Sequence, residues 1–414
     1  MPRLPSLAVL PILALPALSA CGDGGSATRL DAVVDSVDGV PLLTFSDRQA
    51  PKLDWRLDTL FVLGGYEQEE DAYQFDQVGP GSLAGTEDGA LFVLDGTGSR
   101  VLGYDEHGTP IGAWGRQGGG PGELQGPGGL GIGPGDSLWV ADRGNRRVTI
   151  FPPDTAGTPS DLPLGEASSG LGGALEIDAS GLYAVVVMFS FRPGEEVSVP
   201  PQRLLHVTRA GEVADTLWTA PPREFDQVEL TSGGARMMMM MQREFTPALW
   251  WDRFADGSFA VADGADYEVA IVAPDGTVER RIRREPPARA TTEADREGAR
   301  RRARERAEAS TSDAMRQSVE QRIGKMTFAP TIPRITGLAV DTKDRLWVGV
   351  STEVPGETGR IDVYGREGAL VGEIRDPELF PALFFGDGRA AVLDRDELDV
   401  QRVIVLALRE GGTG

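Results

Sequence analysis

Short apolar runs set between turn residues recur along this chain. The six are Leu91-Phe92-Val93-Leu94-Asp95, Leu138-Trp139-Val140-Ala141-Asp142, Leu182-Tyr183-Ala184-Val185-Val186, Phe259-Ala260-Val261-Ala262-Asp263, Leu346-Trp347-Val348-Gly349-Val350 and Ala390-Ala391-Val392-Leu393-Asp394. Their starts lie 47, 44, 77, 87 and 44 residues apart. One period near 44 fits them all if the third and fourth gaps carry insertions of about 33 and 43 residues. An apolar strand and a turn precede each run, as in Gly129-Leu130-Gly131-Ile132 before Pro134-Gly135-Asp136. A further strand follows, such as Arg147–Phe151 or Glu268–Val272, then a turn such as Pro274-Asp275-Gly276, then a fourth strand, Val278–Ile282. Short β-rich runs joined by Asp-Gly turns predict antiparallel hairpins.

Four strands per repeat make one propeller blade, which buries both faces only against its neighbours. The predicted fold is all-β: a six-bladed β-propeller of four-stranded antiparallel blades over residues 53–414. The last repeat lacks a fourth strand, because the chain reaches a turn-like Glu410-Gly411-Gly412 after Val403–Leu406. Leu57–Leu63 precedes the first full repeat, where a fourth strand belongs, and is expected to close the ring. Closure removes the unpaired edges of an open array.

The first twenty residues differ from the rest. Arg3 is their only charge, and Leu7–Leu15 is apolar but too short to span a bilayer. Residues 1–20 read as a signal peptide. It ends in Leu18-Ser19-Ala20-Cys21, which resembles the bacterial lipobox. The resemblance implies cleavage before Cys21 and a lipid on its sulfur. Cys21 is the sole cysteine, so no disulfide competes for it. Residues 21–52 read as a lipidated tether, and removing it up to about Leu43 is expected to spare the fold. The expected address is the cell envelope, lipid-anchored at the periplasmic face or the outer membrane; Gly22, not Asp, follows the cysteine and leans toward the latter.

Charge changes the picture by exclusion. A formal net of -22 argues against a nucleic-acid partner, which needs a basic face. The insertions, about 221–247 and 286–334, add two features. The first contains Met237–Met241, whose thioethers suit soft metals or varied apolar partners, or pack as a repetitive connection. The second opens on Pro286-Pro287, has a cap at Thr292, and places Met315, Val319 and Ile323 at four-residue spacing. It predicts one amphipathic helix or two short ones, laced with ion pairs against the ring.

Blade two carries a further resemblance. Gly115 through Pro127, followed by Leu138-Trp139-Val140-Ala141-Asp142-Arg143-Gly144-Asn145-Arg146-Arg147-Val148, resembles an NHL repeat. The mature chain is similar to six-bladed propeller lipoproteins related to that family. Blade one keeps only Asp95 and Arg100, and later blades depart further. The resemblance implies that Asp142 and Asn145 bond the turn between strands two and three, in preference to a metal. The glycines Gly118–Gly122 are followed by neither Lys-Ser nor Lys-Thr, so a phosphate loop is not expected. His107 and His206 are the only histidines, which excludes a His-rich metal centre, and no G-x-S-x-G elbow occurs.

These readings favour a non-catalytic, monomeric scaffold, anchored in the membrane through Cys21, that binds a protein, peptide or carbohydrate. No cofactor is expected under this reading. The alternative is a propeller hydrolase or lactonase with Ca²⁺ held by channel carboxylates. A ligand is expected at the ring end formed by the loops inside blades (strand two to three) and between them. Arg116, Gln117, Arg143, Asp266 and Tyr267 fall there, the arginines to clamp or stack and the tyrosine for rigid contact area.

Overall fold

The computed structural model describes residues 32–411, apart from 47–49, 66–73, 166–169, 187–198, 233–234, 309–312, 352–353, 376, 378 and 397–399. Cys21 and the signal segment lie outside the described residues. Three strands come first, β1 (Val33–Val37), β2 (Val40–Phe45) and β3 (Arg56–Gly64). Blade one is β4 (Leu83–Gly85), β5 (Leu91–Asp95), β6 (Arg100–Tyr104) and β7 (Pro110–Trp114). Blade two is β8 (Pro127–Gly133), β9 (Ser137–Asp142), β10 (Arg147–Phe151) and β11 (Ser160–Pro163). Blade three is β12 (Glu176–Ile177), β13 (Gly181–Val186), β14 (Arg203–Thr208) and β15 (Val213–Thr219). The first insertion is a hairpin of β16 (Phe225–Ser232) and β17 (Ala235–Gln242). Blade four follows as β18 (Trp250–Arg253), β19 (Phe259–Ala262), β20 (Glu268–Val272) and β21 (Val278–Arg284). The second insertion contains β22 (Arg289–Ala290), α1 (Glu293–Glu308), α2 (Asp313–Gly324) and β23 (Thr331–Ile332). Blade five is β24 (Ile335–Val340), β25 (Leu346–Ser351), β26 (Thr358–Tyr364) and β27 (Leu370–Arg375). Blade six is β28 (Leu383–Phe385), β29 (Arg389–Arg395), β30 (Gln401–Arg409) and, from the N-terminal side, β3.

The fold is the expected six-bladed propeller, closed as expected by β3, which pairs antiparallel with β30 from Arg56–Arg409 to Gly64–Arg402. The apolar runs are the second strand of each blade, and their pleat explains why every position is apolar. Leu138 and Val140 pack toward Phe92 and Leu94 of blade one, while Trp139 and Ala141 pack toward Leu182 and Ala184 of blade three. A strand between two neighbours has no solvent face. The Asp-Gly turns form as read: Gly276 sits at φ +84°, and its N–H bonds the Ala273 carbonyl at 2.9 Å.

The segment expected as a tether is folded from Val33 onward. β1 and β2 form a hairpin, and β2 runs parallel to β21, extending blade four to six strands. Leu42 and Phe45 are buried, and Phe45 packs edge-on to Tyr364 of blade five, with ring centroids 5.7 Å apart. Beyond it, Leu53 N–H bonds the Glu373 carbonyl on β27, and Glu373 N–H bonds Pro51, both at 2.8 Å. The chain then enters β3. Residues 40–46 and 50–64 are thus belt segments that pair in turn with β21 of blade four, β27 of blade five and β30 of blade six.

Both insertions leave from connections between blades and pack on each other. Glu244 N–H bonds the Thr327 carbonyl at 2.9 Å, and Ala329 N–H returns to Glu244 at 2.8 Å. Asp226 accepts from Arg243 at 2.9 and 3.1 Å and from Thr327 at 2.5 Å. The second insertion forms two helices, laced by ion pairs such as Arg296–Glu293 and Arg304–Glu320. Met237–Met241 lies on β17, and a strand turns successive side chains to opposite faces, so the sulfurs of Met238–Met241 divide. Among the described residues no helix is long and apolar enough to cross a membrane.

Candidate functional site

The five residues expected at the ligand face end in different surroundings. Arg116 lies in the connection into blade two and is exposed, but both Nε and Nη2 bond Glu123 Oε1, at 3.0 and 2.9 Å. Glu123 Oε2 also accepts the Gly120 N–H at 2.8 Å. The glycine-rich loop therefore wraps its own carboxylate, where a phosphate-loop reading would put an anion. Gln117 is exposed beside it. Asp266 accepts the Ala288 N–H at 2.7 Å and so fixes the root of the second insertion. Tyr267 does not present contact area: it is 1% exposed and its hydroxyl meets that of Tyr364. It directly precedes β20 and packs, with Val269 and Ile271, in the seam with blade five. Arg143 is exposed, and its guanidinium lies over Gly128, where a Cβ would sit 2.0 Å from Nη2. That places it at the channel mouth.

Asp142 and Asn145 are structural, but they tie a different segment from the one expected. Asp142 Oδ1 accepts the Gln125 N–H at 2.8 Å, and Asn145 bonds Asp142 Oδ2 at 2.6 Å and the Gly118 carbonyl at 3.0 Å. Arg147, opposite Asp142 in the hairpin, donates to the Gly120 and Glu123 carbonyls at 2.7 and 2.8 Å. The set anchors the incoming inter-blade loop. Asp95 and Arg100 repeat this in blade one, holding Asp76 N–H and the Gln74 carbonyl.

The chemistry gathers at the other end of the ring. β12 and β18 are the inner strands of blades three and four, and they carry Glu176 and Asp252. Both residues are half-buried. Asp252 Oδ2 accepts the Val340 N–H of blade five at 2.6 Å, satisfying an inner-strand amide that no further strand can pair. Burial raises Asp252 to about 6 against hydrogen bonds from Val340 and Arg253. Burial, followed by the negative charge of Asp252, pushes Glu176 up to about 8, with Arg253 opposing. Two carboxyls so coupled titrate as a pair and hold a proton near neutrality.

A polar network continues from this pair to the surface between blades three and four. Arg253 donates to Asp178 Oδ2 at 2.6 Å and lies over the Tyr183 ring at 4.5 Å. Burial would raise Asp178, but hydrogen bonds from Ser180 and Arg253 outweigh it and hold the carboxylate well below its usual range. Ser180 Oγ donates to Asp178 at 2.6 Å and lies 3.0 Å from His206 Nε2. The His206 ring stacks on Tyr183 at 4.7 Å, and its Nδ1 is 4.0 Å from Asp215. Glu176, Tyr183, His206 and Asp215 are successive cross-strand partners, so one row of polar side chains crosses blade three from channel to rim. Ser258 makes the same turn bond to Asp256 in blade four, at 2.6 Å, which marks the Ser180–Asp178 contact as turn chemistry. Among the described residues no group of three or more His, Cys, Asp or Glu side chains gathers to hold a metal ion.

No protein-family model and no curated protein sequence matches the chain. Solved structures do resemble it over most of its length. An exported-protein candidate from Bacteroides fragilis matches with 11% identity and a TM-score of 0.47, covering 89% of this chain and 99% of that one. A member of the duf4221 family from Bacteroides vulgatus matches with 12% identity and a TM-score of 0.48, covering 86% and 99%. Virginiamycin B lyase from Staphylococcus aureus matches with 7% identity and a TM-score of 0.38, covering 85% and 99%.

Proposed function

We propose that this chain is an exported bacterial lipoprotein, held at the cell envelope by a lipid on Cys21, whose NHL-like propeller is a monomeric, non-catalytic binding scaffold. The ligand is a peptide, protein segment or carbohydrate that enters the channel and meets Glu176 and Asp252. One observation carries this reading. Glu176 reaches channel solvent with no hydrogen-bond partner among the described residues, while its surroundings favour the protonated carboxyl. A protonated carboxyl both donates and accepts, and it recognises amines, amides and hydroxyls. Arg143 at the opposite mouth is a second free contact, able to stack or to clamp a carboxylate.

The test is a screen of peptides and oligosaccharides by thermal shift, followed by titration of each hit. Glu176→Ala or Asp252→Ala is expected to weaken a hit by about tenfold, the size of one buried hydrogen bond to a charged or strongly polar group. Hits that bind both variants and Arg143→Ala as tightly as the parent would remove the channel from consideration. The competing reading, a hydrolase or lactonase, draws on the same pair, since two carboxyls of unequal proton affinity serve as acid and base. Turnover of a lactone by the purified chain, lost in Glu176→Gln, would replace the scaffold reading with that one.

A further inference from the structure

The six seams between blades are not packed alike. The seams between one and two, two and three, three and four, four and five, and six and one each hold one continuous buried cluster. Between blades five and six the buried residues divide into two smaller groups, one around Trp347 and Ile361, the other around Val392 and Leu406, bridged by half-buried Phe384. A cavity of about 390 Å³ occupies the gap. The space opens to solvent on one side, and its volume lies in the range of small-molecule sites.

Its walls and mouth define what fits. Ile404, Leu406 and Leu408 line it from alternate positions of β30, and Leu57 faces them from β3. Alternate strand positions from 404 to 408 extend about 13 Å, so the space is a slot along the strands. Ile361 and Ile374 close it from blade five. The mouth is charged. Arg56, Asp58 and Arg375 line it, all exposed, and Arg56 lies directly opposite Arg409 on β30. Like charges opposed across a ladder repel, and an anion between them relieves this. Among the described residues, Asp54 and Asp58 are held loosely, Asp54 at 3.9 Å from Arg56 and Asp58 at 3.7 Å from Arg409. Glu373, which Arg375 also bonds, is buried and belongs to the Arg284 cluster.

We propose that this slot is a binding site for a single-chain anionic amphiphile, a free fatty acid, with the chain between β3, β30 and blade five and the carboxylate at Arg56 and Arg375. The site is separate from the channel, and its ligand is independent of the reading above.

Residues 22–414, which retain every described residue, are titrated with a dansyl-labelled undecanoic acid and competed with dodecanoate or dodecanol. Saturable binding of one equivalent is expected, with dodecanoate competing more strongly than dodecanol. Ile404→Trp fills the slot and is expected to weaken dodecanoate by at least about tenfold with the circular dichroism unchanged. Leu57→Phe serves the same purpose should Ile404→Trp fail to fold. Arg56→Glu combined with Arg375→Glu should erase the preference for dodecanoate over dodecanol. Absence of saturable binding, or binding unaffected by a folded filling variant, overturns the site. Equal affinity for acid and alcohol in the parent overturns the anionic assignment.

Discussion

The hydroxyls of Tyr267 and Tyr364 meet at 2.9 Å inside the seam between blades four and five, where neither residue is more than 1% exposed. Tyr267 meets the Tyr364 hydroxyl and also bonds the buried Asp362, and polar tips persist this deep in a seam only when partnered. Arg284, at the end of β21, adds the charged part of the same seam. It is buried between Asp362 and Glu373 of blade five. Tyr267→Phe leaves the Tyr364 hydroxyl unpaired and is expected to cost about 1–2 kcal/mol in urea unfolding. Arg284→Leu removes the buried cation that Asp362 and Glu373 share, leaving Arg360 beside Asp362 and Arg375 on Glu373, and is expected to cost up to about 3–5 kcal/mol. Unfolding midpoints unchanged in both would show that this seam does not hold the ring.

The belt makes a graded prediction. A chain beginning at residue 32 keeps every described strand and is expected to melt with the parent. A chain beginning at residue 46 loses the β1–β2 hairpin, including the buried Leu42 and Phe45. Burial of those two side chains contributes roughly 1.5–3 kcal/mol each, so a clear fall in Tm is expected. A chain beginning at residue 65 also loses β3 and leaves β30 as an open edge, which should abolish cooperative melting. If the chains beginning at 32 and 46 melted together, the hairpin would be an ornament on blade four.

The repeat was legible because blade geometry demands it: a second strand with neighbours on both faces must be apolar throughout, whatever its ligand. Closure by Leu57–Leu63 was legible for the same reason. The β1–β2 hairpin was not. All five residues of β1 are exposed, so Val33-Val34-Asp35-Ser36-Val37 shows no buried face for periodicity to detect. Tyr267 was placed on the surface because it closely follows a turn. Its partner is 97 residues away, and only the seam brings them together. Glu176 and Asp252 were hidden for a further reason. Inner strands are short, β12 having two residues, and an isolated carboxylate in an acidic chain carries no pattern. The ring makes these two converge.

Anchoring is tested at Cys21, upstream of the described residues. Cys21→Ser removes the sulfur that would carry the thioether, and a single remaining signal sequence cannot hold the processed chain. The expected outcome is a soluble or unprocessed protein without incorporation of labelled palmitate. Equal membrane association of parent and variant, with neither labelled, would rule out the lipid.

The carboxyl pair predicts how stability depends on pH. Glu176 is raised from 4.5 in the open chain to about 8 in the ring, so the folded state binds its proton more tightly than the unfolded state does. Its contribution to stability is therefore complete below about pH 4.5 and is lost as pH rises toward 8. Asp252 acts in the same direction between 3.8 and about 6. Glu176→Gln has no proton to lose at this position. It should match the parent near pH 4.5 and exceed it at pH 8.5, by on the order of 1–2 kcal/mol once screening by channel water is allowed for. Asp252 titrates with Glu176 and shares in the change, while groups away from the pair titrate alike in the two chains, so the difference between their stability profiles isolates the carboxyl pair. A difference that is flat from pH 4.5 to 8.5, or one that favours the parent at the alkaline end, would mean that Glu176 is ionised in the channel at neutral pH. In that case its recognition chemistry would be that of a fixed negative charge.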